Sequence, residues 1–287
     1  MIKKYKPYIL LLPVTIVLLS IFVYGLFTGF MQSLGYFPEV GLKEVTFKYY
    51  IEVLKSNSFA ASLNFSIFIA VVSSVLATVL GVLLAYCLMT SKGNKRIKEA
   101  LYKLPIIVPH SVVALLAYNL LSQYGILPRI LYFTGLLKDQ SLFPSMIGDR
   151  NGIGIIVSYL WKEIPFVAMV TYSVFANMND KLEEVALNLG ASKKQVFWHV
   201  LLPLSMPTIF SSFIIIFAYA FGAFEAPYLL GPTAPKTLPV KAYVEYINPN
   251  LTNRPYSMVY NMIVSFIAVI LVGFYYKIFS KINKNNR

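Results

Sequence analysis

Long runs of apolar residues without any charge dominate this sequence of 287 residues. No charged residue occurs from Pro7 to Pro38, and none occurs from Ser56 to Ser91. A helix needs about 20 predominantly apolar residues to cross a bilayer, whereas the strands of a membrane barrel alternate polar and apolar positions. Because the runs here are continuous, they predict α-helical membrane spans.

Hydropathy along the chain predicts six such spans. They lie near residues 8–31, 59–89, 104–124, 152–176, 207–229 and 256–279. The second is longer than a bilayer requires, so it must tilt or protrude. No internal repeat accompanies the spans. The sequence therefore predicts an all-α integral membrane protein that forms one transmembrane domain over residues 1–287.

The positions of Lys and Arg predict the orientation of the spans. The N-terminus, the loops after the second and fourth spans, and the C-terminus together contain 15 of them, against 9 in the opposite loops. The positive-inside rule therefore places both termini in the cytoplasm. This distribution also accounts for the net charge of +13 without nucleic acid, which would require a basic soluble surface. The first run is too long for a signal peptide, so we expect an uncleaved span.

The reactive residues are few and scattered. One cysteine, Cys87, excludes a disulfide within the chain, and two distant histidines, His110 and His199, make a histidine-rich metal site implausible. No Gly-x-x-x-x-Gly-Lys-Ser/Thr phosphate loop occurs anywhere. We therefore expect no metal or cofactor in this chain, no catalytic residues and no ATP hydrolysis by this subunit alone.

The loop between the fourth and fifth spans, residues 177–206, contains two short helix patterns. Four apolar residues of the first pattern recur at helical spacing: Leu182, Val185, Ala186 and Leu189. Gly190 follows, at a position where helices end in the left-handed conformation that glycine adopts without strain. The first pattern therefore predicts a short amphipathic helix that ends in a glycine bend.

The second pattern begins at Ser192, which stands three residues before Gln195 in capping-box spacing. Its apolar side is formed by Val196, Phe197, Val200 and Leu201. Pro203 and Pro207 are expected to bend the chain into the fifth span. On the residues alone, a helix pair resting in the headgroup region is an open alternative to a functional site.

One spaced pattern in this loop is more specific. It reads Glu184-Val185-Ala186, three residues, Gly190, nine residues, Val200, one residue, Leu202-Pro203. This resembles the EAA motif of binding-protein-dependent ABC importer permeases, with Val185 and Val200 in place of alanine and isoleucine. The resemblance extends over the whole chain and is nearest to the polyamine (spermidine/putrescine) group, partly through the segment Phe224–Gly231.

The resemblance implies a type I importer fold, with this chain as one transmembrane half in the bacterial plasma membrane. The first helix of the loop would then be a coupling helix seated on an ATPase subunit. Carried over, Glu184 offers a carboxylate to the ATPase, Ala186 permits close approach and Gly190 sets the angle of the bend. Leu202 and Pro203 complete the motif.

The resemblance also implies the partners. They are a second permease subunit, two ATPase subunits that bind ATP, an extracytoplasmic solute-binding protein and membrane lipid. The external loop of residues 32–58 resembles that of the first permease in polyamine-type systems, which favours a heterodimer. The alternative is a stand-alone secondary transporter or channel, although such transporters usually show inverted repeats.

Three charged residues within the spans are candidates for the solute pathway, because charge inside a bilayer is costly. They are Lys162, Glu163 and Glu225. The first two are expected on different helix faces, and Pro165 to kink or break the fourth span. They could line the pathway or form a buried ion pair with another span. Glu225 could lie at the external mouth or among the headgroups. The solute itself is not determined by the sequence.

Overall fold

A computed structural model of the protein describes residues 2–91, 103–177, 185–186 and 188–285. Within these ranges the regular structure is helical. The helices are α1 Ile2–Ser33, α2 Lys48–Lys55, α3 Asn57–Thr90, α4 His110–Leu121, α5 Ile126–Phe133, α6 Ile153–Asn177, α7 Lys193–Val196, α8 Leu202–Gly222, α9 Glu225–Leu230, α10 Leu238–Tyr246 and α11 Arg254–Asn285. A π-helical turn, Phe197–Leu201, joins α7 to α8.

Six of the described helical stretches are long and apolar enough to cross a membrane. They are Leu10–Ser33, Asn57–Thr90, His110–Phe133, Ile153–Ala176, Lys193–Gly222 and Leu251–Phe274. The predicted six-span, all-α fold is therefore confirmed. The first, second and fourth spans begin and end within two residues of their predicted bounds, the sixth is displaced by five residues, and the third and fifth differ by more.

The third span begins at His110 rather than at residue 104, because the chain is interrupted at Pro109. Residues 103–107 are helical, but Pro109 adopts an extended conformation with φ −58° and ψ 145°. Proline disfavours the helical conformation at the preceding residue, and it has no N–H to donate to the carbonyl four residues earlier. The backbone carbonyls just before Pro109 therefore lose their partners within the helix.

The fifth span ends at Gly222 rather than at residue 229, and a new short helix begins at Glu225. Ala223, between them, is extended with φ −69° and ψ 142°. Pro227 explains the break, since its ring would clash with the carbonyl of Ala223 in a continuous helix. The bend predicted at Pro203 and Pro207 stays a prediction. The chain stays helical from Lys193 to Gly222, with Pro203 in the first turn of α8 and Pro207 inside it.

Of the two outcomes expected at Pro165, a kink or a break in the fourth span, the break does not occur, because α6 runs through this residue from Ile153 to Asn177. The kink stays a prediction. Close packing beside the proline supports the helix. A Cβ added to Gly81 of α3 would lie 2.9 Å from the backbone oxygen of Ile164 and 2.6 Å from Cβ of Val167. The absence of a side chain at Gly81 thus lets α3 contact α6 where Pro165 removes a hydrogen bond.

The predicted single domain divides into two compact units, Met1–Ala60 with Lys241–Phe266, and Ala61–Val240 with Ile267–Arg287. The boundaries fall inside α3, α10 and α11. In the first unit, the Tyr256 hydroxyl donates to Glu52, and the Tyr256 and Tyr49 rings meet edge to face at 5.0 Å. The second unit contains both candidate sites.

Candidate functional site

The first candidate site is the coupling segment, which we define as residues 185–203 and of which residue 187 is not described. Glu184, the first residue of the predicted motif, lies outside the described residues. The Leu189 amide donates to the Val185 carbonyl over 3.0 Å, as in a helical turn. Gly190 then has φ +88°, and the Ala191 amide donates to the Ala186 carbonyl over 3.1 Å. These features form the left-handed helix end predicted from the glycine.

The second helix starts with the predicted capping box. The Gln195 amide donates to Oγ of Ser192 over 3.3 Å, and the Ser192 amide donates to Oε1 of Gln195 over 2.8 Å. Both contacts supply partners that the first turn of a helix lacks. The start of this helix is thereby fixed by local interactions.

Burial divides the apolar residues of the coupling segment into two groups. Val196, Phe197 and Leu201 are buried together with Ala85 of α3 and Phe175 of α6. The Phe197 ring lies 4.3 Å from the Tyr86 ring and 5.9 Å from that of Phe175. This cluster anchors the helix that leads directly into the fifth span.

Ala186 and Leu202, two residues of the predicted motif, pack against this same cluster within the chain. Val185 and Leu189 instead remain 55% and 83% exposed, respectively. The predicted apolar stripe is therefore split, with Ala186 turned toward its own spans and the other two side chains available to a partner. Pro203 is exposed. Sequence periodicity could not reveal this division, because all of these positions are apolar and share one helix face.

The second candidate site lies within the membrane-spanning helices and centres on Lys162 of α6. Its Nζ donates to the backbone oxygens of Ile106, over 3.4 Å, and of Val108. Both carbonyls belong to the stretch interrupted by Pro109. Among the described residues, Lys162 thus binds backbone oxygens rather than the carboxylate that an ion pair would require. It supplies hydrogen-bond donors to carbonyls beside the break in the third span.

Glu163, the next residue, is only 4% exposed. Neither of its carboxyl oxygens has a hydrogen-bond partner among the described residues. Glu163 and Lys162 both line one cavity of about 220 Å³, and their placement on different helix faces stays a prediction. The cavity is lined by Ile106, His110, Lys162, Glu163, Phe166, Ile215, Ile216 and Tyr219.

Tyr219, which lines this intramembrane cavity, and the neighbouring Tyr159 were not singled out by the sequence. The ring of His110 lies 4.3 Å from that of Tyr219, and Tyr159 meets Tyr219 at 6.0 Å, edge to face. Glu225 is exposed at the first position of α9 and is not among the described residues that line the cavity. The position of Pro109 in the sequence could have indicated the interruption there. No pattern in the neighbouring sequence indicates that Tyr219, about 110 residues later, lines the cavity beside this interruption.

Comparison with known proteins identifies the family. Residues 77–284 match the family described as the binding-protein-dependent transport system inner membrane component. The chain belongs to this family. It is therefore a multi-pass inner-membrane protein and a transport subunit rather than an enzyme.

Curated relatives agree with this assignment. The Probable ABC transporter permease protein YurN of Bacillus subtilis is 28% identical over 241 residues, which are 79% of each chain. The molybdate/tungstate transport system permease protein WtpB of Pyrococcus furiosus is 31% identical over 188 residues, 65% of this chain and 66% of that protein. These relatives support an ABC permease and give no support to the polyamine group in particular.

Solved structures share the fold. A bacterial ABC transporter involved in the import of the acidic polysaccharide alginate matches with a TM-score of 0.80 at 21% identity, covering 98% of this chain and 97% of that one. The MetNI methionine ABC transporter, in an inward-facing conformation, matches with a TM-score of 0.59 at 16% identity, over 82% of this chain and 98% of that one. The helices of the present chain therefore adopt the ABC importer permease fold.

Proposed function

We propose that this chain forms one half of the membrane pathway of an ATP-driven importer and couples that pathway to separate ATPase subunits. The observation that carries the proposal is the exposure of Val185 and Leu189 on a helix turn whose end is fixed at Gly190. Exposed apolar side chains that lie close together favour a protein contact. The next helix continues into the fifth span without a break. A movement of the ATPase subunit that displaces this turn would therefore also displace the fifth span.

The partners follow from this role. A type I importer requires two transmembrane halves, so we propose pairing with a second, homologous permease rather than with a copy of this chain, together with two ATPase subunits. Glu184, next to the exposed pair in sequence, would offer its carboxylate to the ATPase. Both termini and the coupling segment would then face the cytoplasm, as the distribution of Lys and Arg suggests.

The solute would arrive from an extracytoplasmic binding protein and cross beside the intramembrane cavity. Lys162, Glu163 and Glu225 remain the candidate pathway residues, and the bonds of Lys162 to two carbonyls favour a mainly structural part for it. A polyamine is the solute suggested by the sequence resemblance, while relatives are named for sulfate and for molybdate or tungstate. We therefore propose a small polar solute.

Reconstitution tests the proposal. This chain is placed in proteoliposomes with its partner permease and ATPase subunits, and the binding protein is added with each solute of a panel of polyamines, oxyanions and oligosaccharides. We expect ATP hydrolysis and uptake to rise together with one solute class. Uptake by this chain without ATPase subunits, driven by an ion gradient, would instead support the stand-alone secondary transporter.

A further inference from the structure

Lys162 and Glu163 are adjacent, yet their charged groups have different surroundings. The Lys162 ammonium donates to the backbone oxygens of Ile106 and Val108. The Glu163 carboxyl has no partner among the described residues, although its side chain is almost fully buried. A buried carboxyl without a donor is unfavourable. A ligand that brings donors to Glu163 would remove this cost.

The space beside Glu163 suits an organic ligand rather than one water molecule. The cavity of about 220 Å³ far exceeds the share of about 30 Å³ that a water occupies in the liquid. Its lining includes the aromatic rings of Phe166 and Tyr219. Aromatic faces attract ammonium groups through the ring quadrupole, and the attraction grows when water is excluded.

The charges around the cavity favour a cation over an anion. Among the described residues that line the cavity, the acidic side chain is that of Glu163. The cationic side chain on the lining is that of Lys162, whose ammonium is already engaged by two carbonyl oxygens. An anion would bring no hydrogen-bond donor to Glu163, whereas an ammonium cation would donate to the Glu163 oxygens, which have no partner among the described residues.

We propose that Glu163, with the rings of Tyr219 and Phe166, forms a binding subsite for the ammonium group of a cationic amine solute. Glu163 accepts hydrogen bonds from the ammonium group, and the two rings contact the ammonium and its alkyl carbons. Lys162 stays bonded to the third span and keeps its charge away from the solute. The proposal rests on the proposed transport function and adds the chemical class of the solute.

Chemical protection of Glu163 tests the subsite directly. The complete complex of this chain, its partner permease and its ATPase subunits is placed in lipid nanodiscs and treated with a hydrophobic carbodiimide, which modifies buried carboxyl groups. Peptide mass spectrometry measures modification at Glu163 in the presence of 1,4-diaminobutane, trimethylamine as its ammonium ion, sulfate or mannitol at matched ionic strength. We expect either amine to lower the modification several-fold, and sulfate and mannitol to leave it unchanged.

Two controls make the result specific. Glu163→Gln must remove the label at this position, and the exposed Glu39 must show the same modification with every probe. Failure of both amines to protect Glu163, or equal protection by sulfate or mannitol, would overturn the subsite. ATP hydrolysis stimulated by the solute-loaded binding protein, measured on the same nanodiscs, reports the proposed coupling separately, so the two failures can be told apart.

Discussion

The coupling segment and the intramembrane cavity are built by interactions of very different range. The bend at Gly190 depends on a bond from Ala191 to Ala186, and the next helix starts with a bond between Ser192 and Gln195. In the cavity, Lys162 binds carbonyls that precede it by 56 and 54 residues. The first site is therefore readable as a motif, whereas the second exists only once three spans have packed.

The largest effect is expected from Gly190→Val. Among the described residues no atom lies within 4 Å of the Cβ position, so the φ of +88° is what opposes a side chain there. A β-branched residue in this conformation is strained by about 1–3 kcal/mol, and the bend should change direction instead. We expect loss of most solute-stimulated ATP hydrolysis and uptake in reconstituted complexes.

Gly190→Asn is the matched control, because asparagine tolerates the left-handed conformation. It should retain most of the activity at equal membrane insertion. If Gly190→Val were to copurify with the ATPase and transport normally, the coupling role of this bend would be wrong.

A second large effect is expected from Leu189→Asp. The side chain is 83% exposed, so the unfolding midpoint of the isolated chain should not change. Truncation of a hot-spot residue at the centre of an interface costs about 2 kcal/mol or more, and the proposed coupling role puts Leu189 in such a position. We therefore expect the dissociation constant for the ATPase subunits, measured by titration in detergent, to rise roughly tenfold or more.

Leu189→Met keeps the apolar contact and should leave this dissociation constant within a small factor of the original. Unchanged ATPase binding by Leu189→Asp would show that the exposed pair does not face the ATPase.

Lys162→Met should reduce stability rather than coupling. It removes the charged donor for the half-buried Ile106 and Val108 carbonyls, and a hydrogen bond to a charged group contributes about 1.5–3 kcal/mol. We expect a lower thermal unfolding midpoint in detergent. Lys162→Arg restores a donor and should recover much of the loss. An unchanged midpoint for Lys162→Met would remove the argument that this lysine closes the break at Pro109.

The smallest effect on activity is expected from two cysteine substitutions that test the side on which the coupling segment lies. Both Lys194 and Thr252 are exposed. In a background with Cys87→Ser, Lys194→Cys should react with an impermeant thiol reagent only in inside-out vesicles, and Thr252→Cys only in intact cells. Labelling of both from the outside would contradict the predicted orientation.

The sequence by itself determined the features that depend on composition and short-range spacing. Continuous apolarity indicated six helical spans, because backbone groups in a bilayer must be satisfied within the helix. Gly190 and the pair Ser192 and Gln195 indicated a bend and a helix start, because these conformations depend on neighbours within five residues. The resemblance to the family motif rests on residues of this same segment.

The tertiary structure decided what depends on contacts between spans. Pro109 and Pro165 look alike in sequence, yet the chain is interrupted at the first and helical through the second. Lys162 supplies partners for carbonyls at the first proline, and α3 packs on the backbone beside the second at Gly81. Likewise, only packing shows that Ala186 is turned inward while Leu189 is exposed. A proline sets a local preference against helix, and an apolar side chain sets a preference for burial. Contacts with residues far away in the sequence then decide whether the helix continues and whether the side chain is buried.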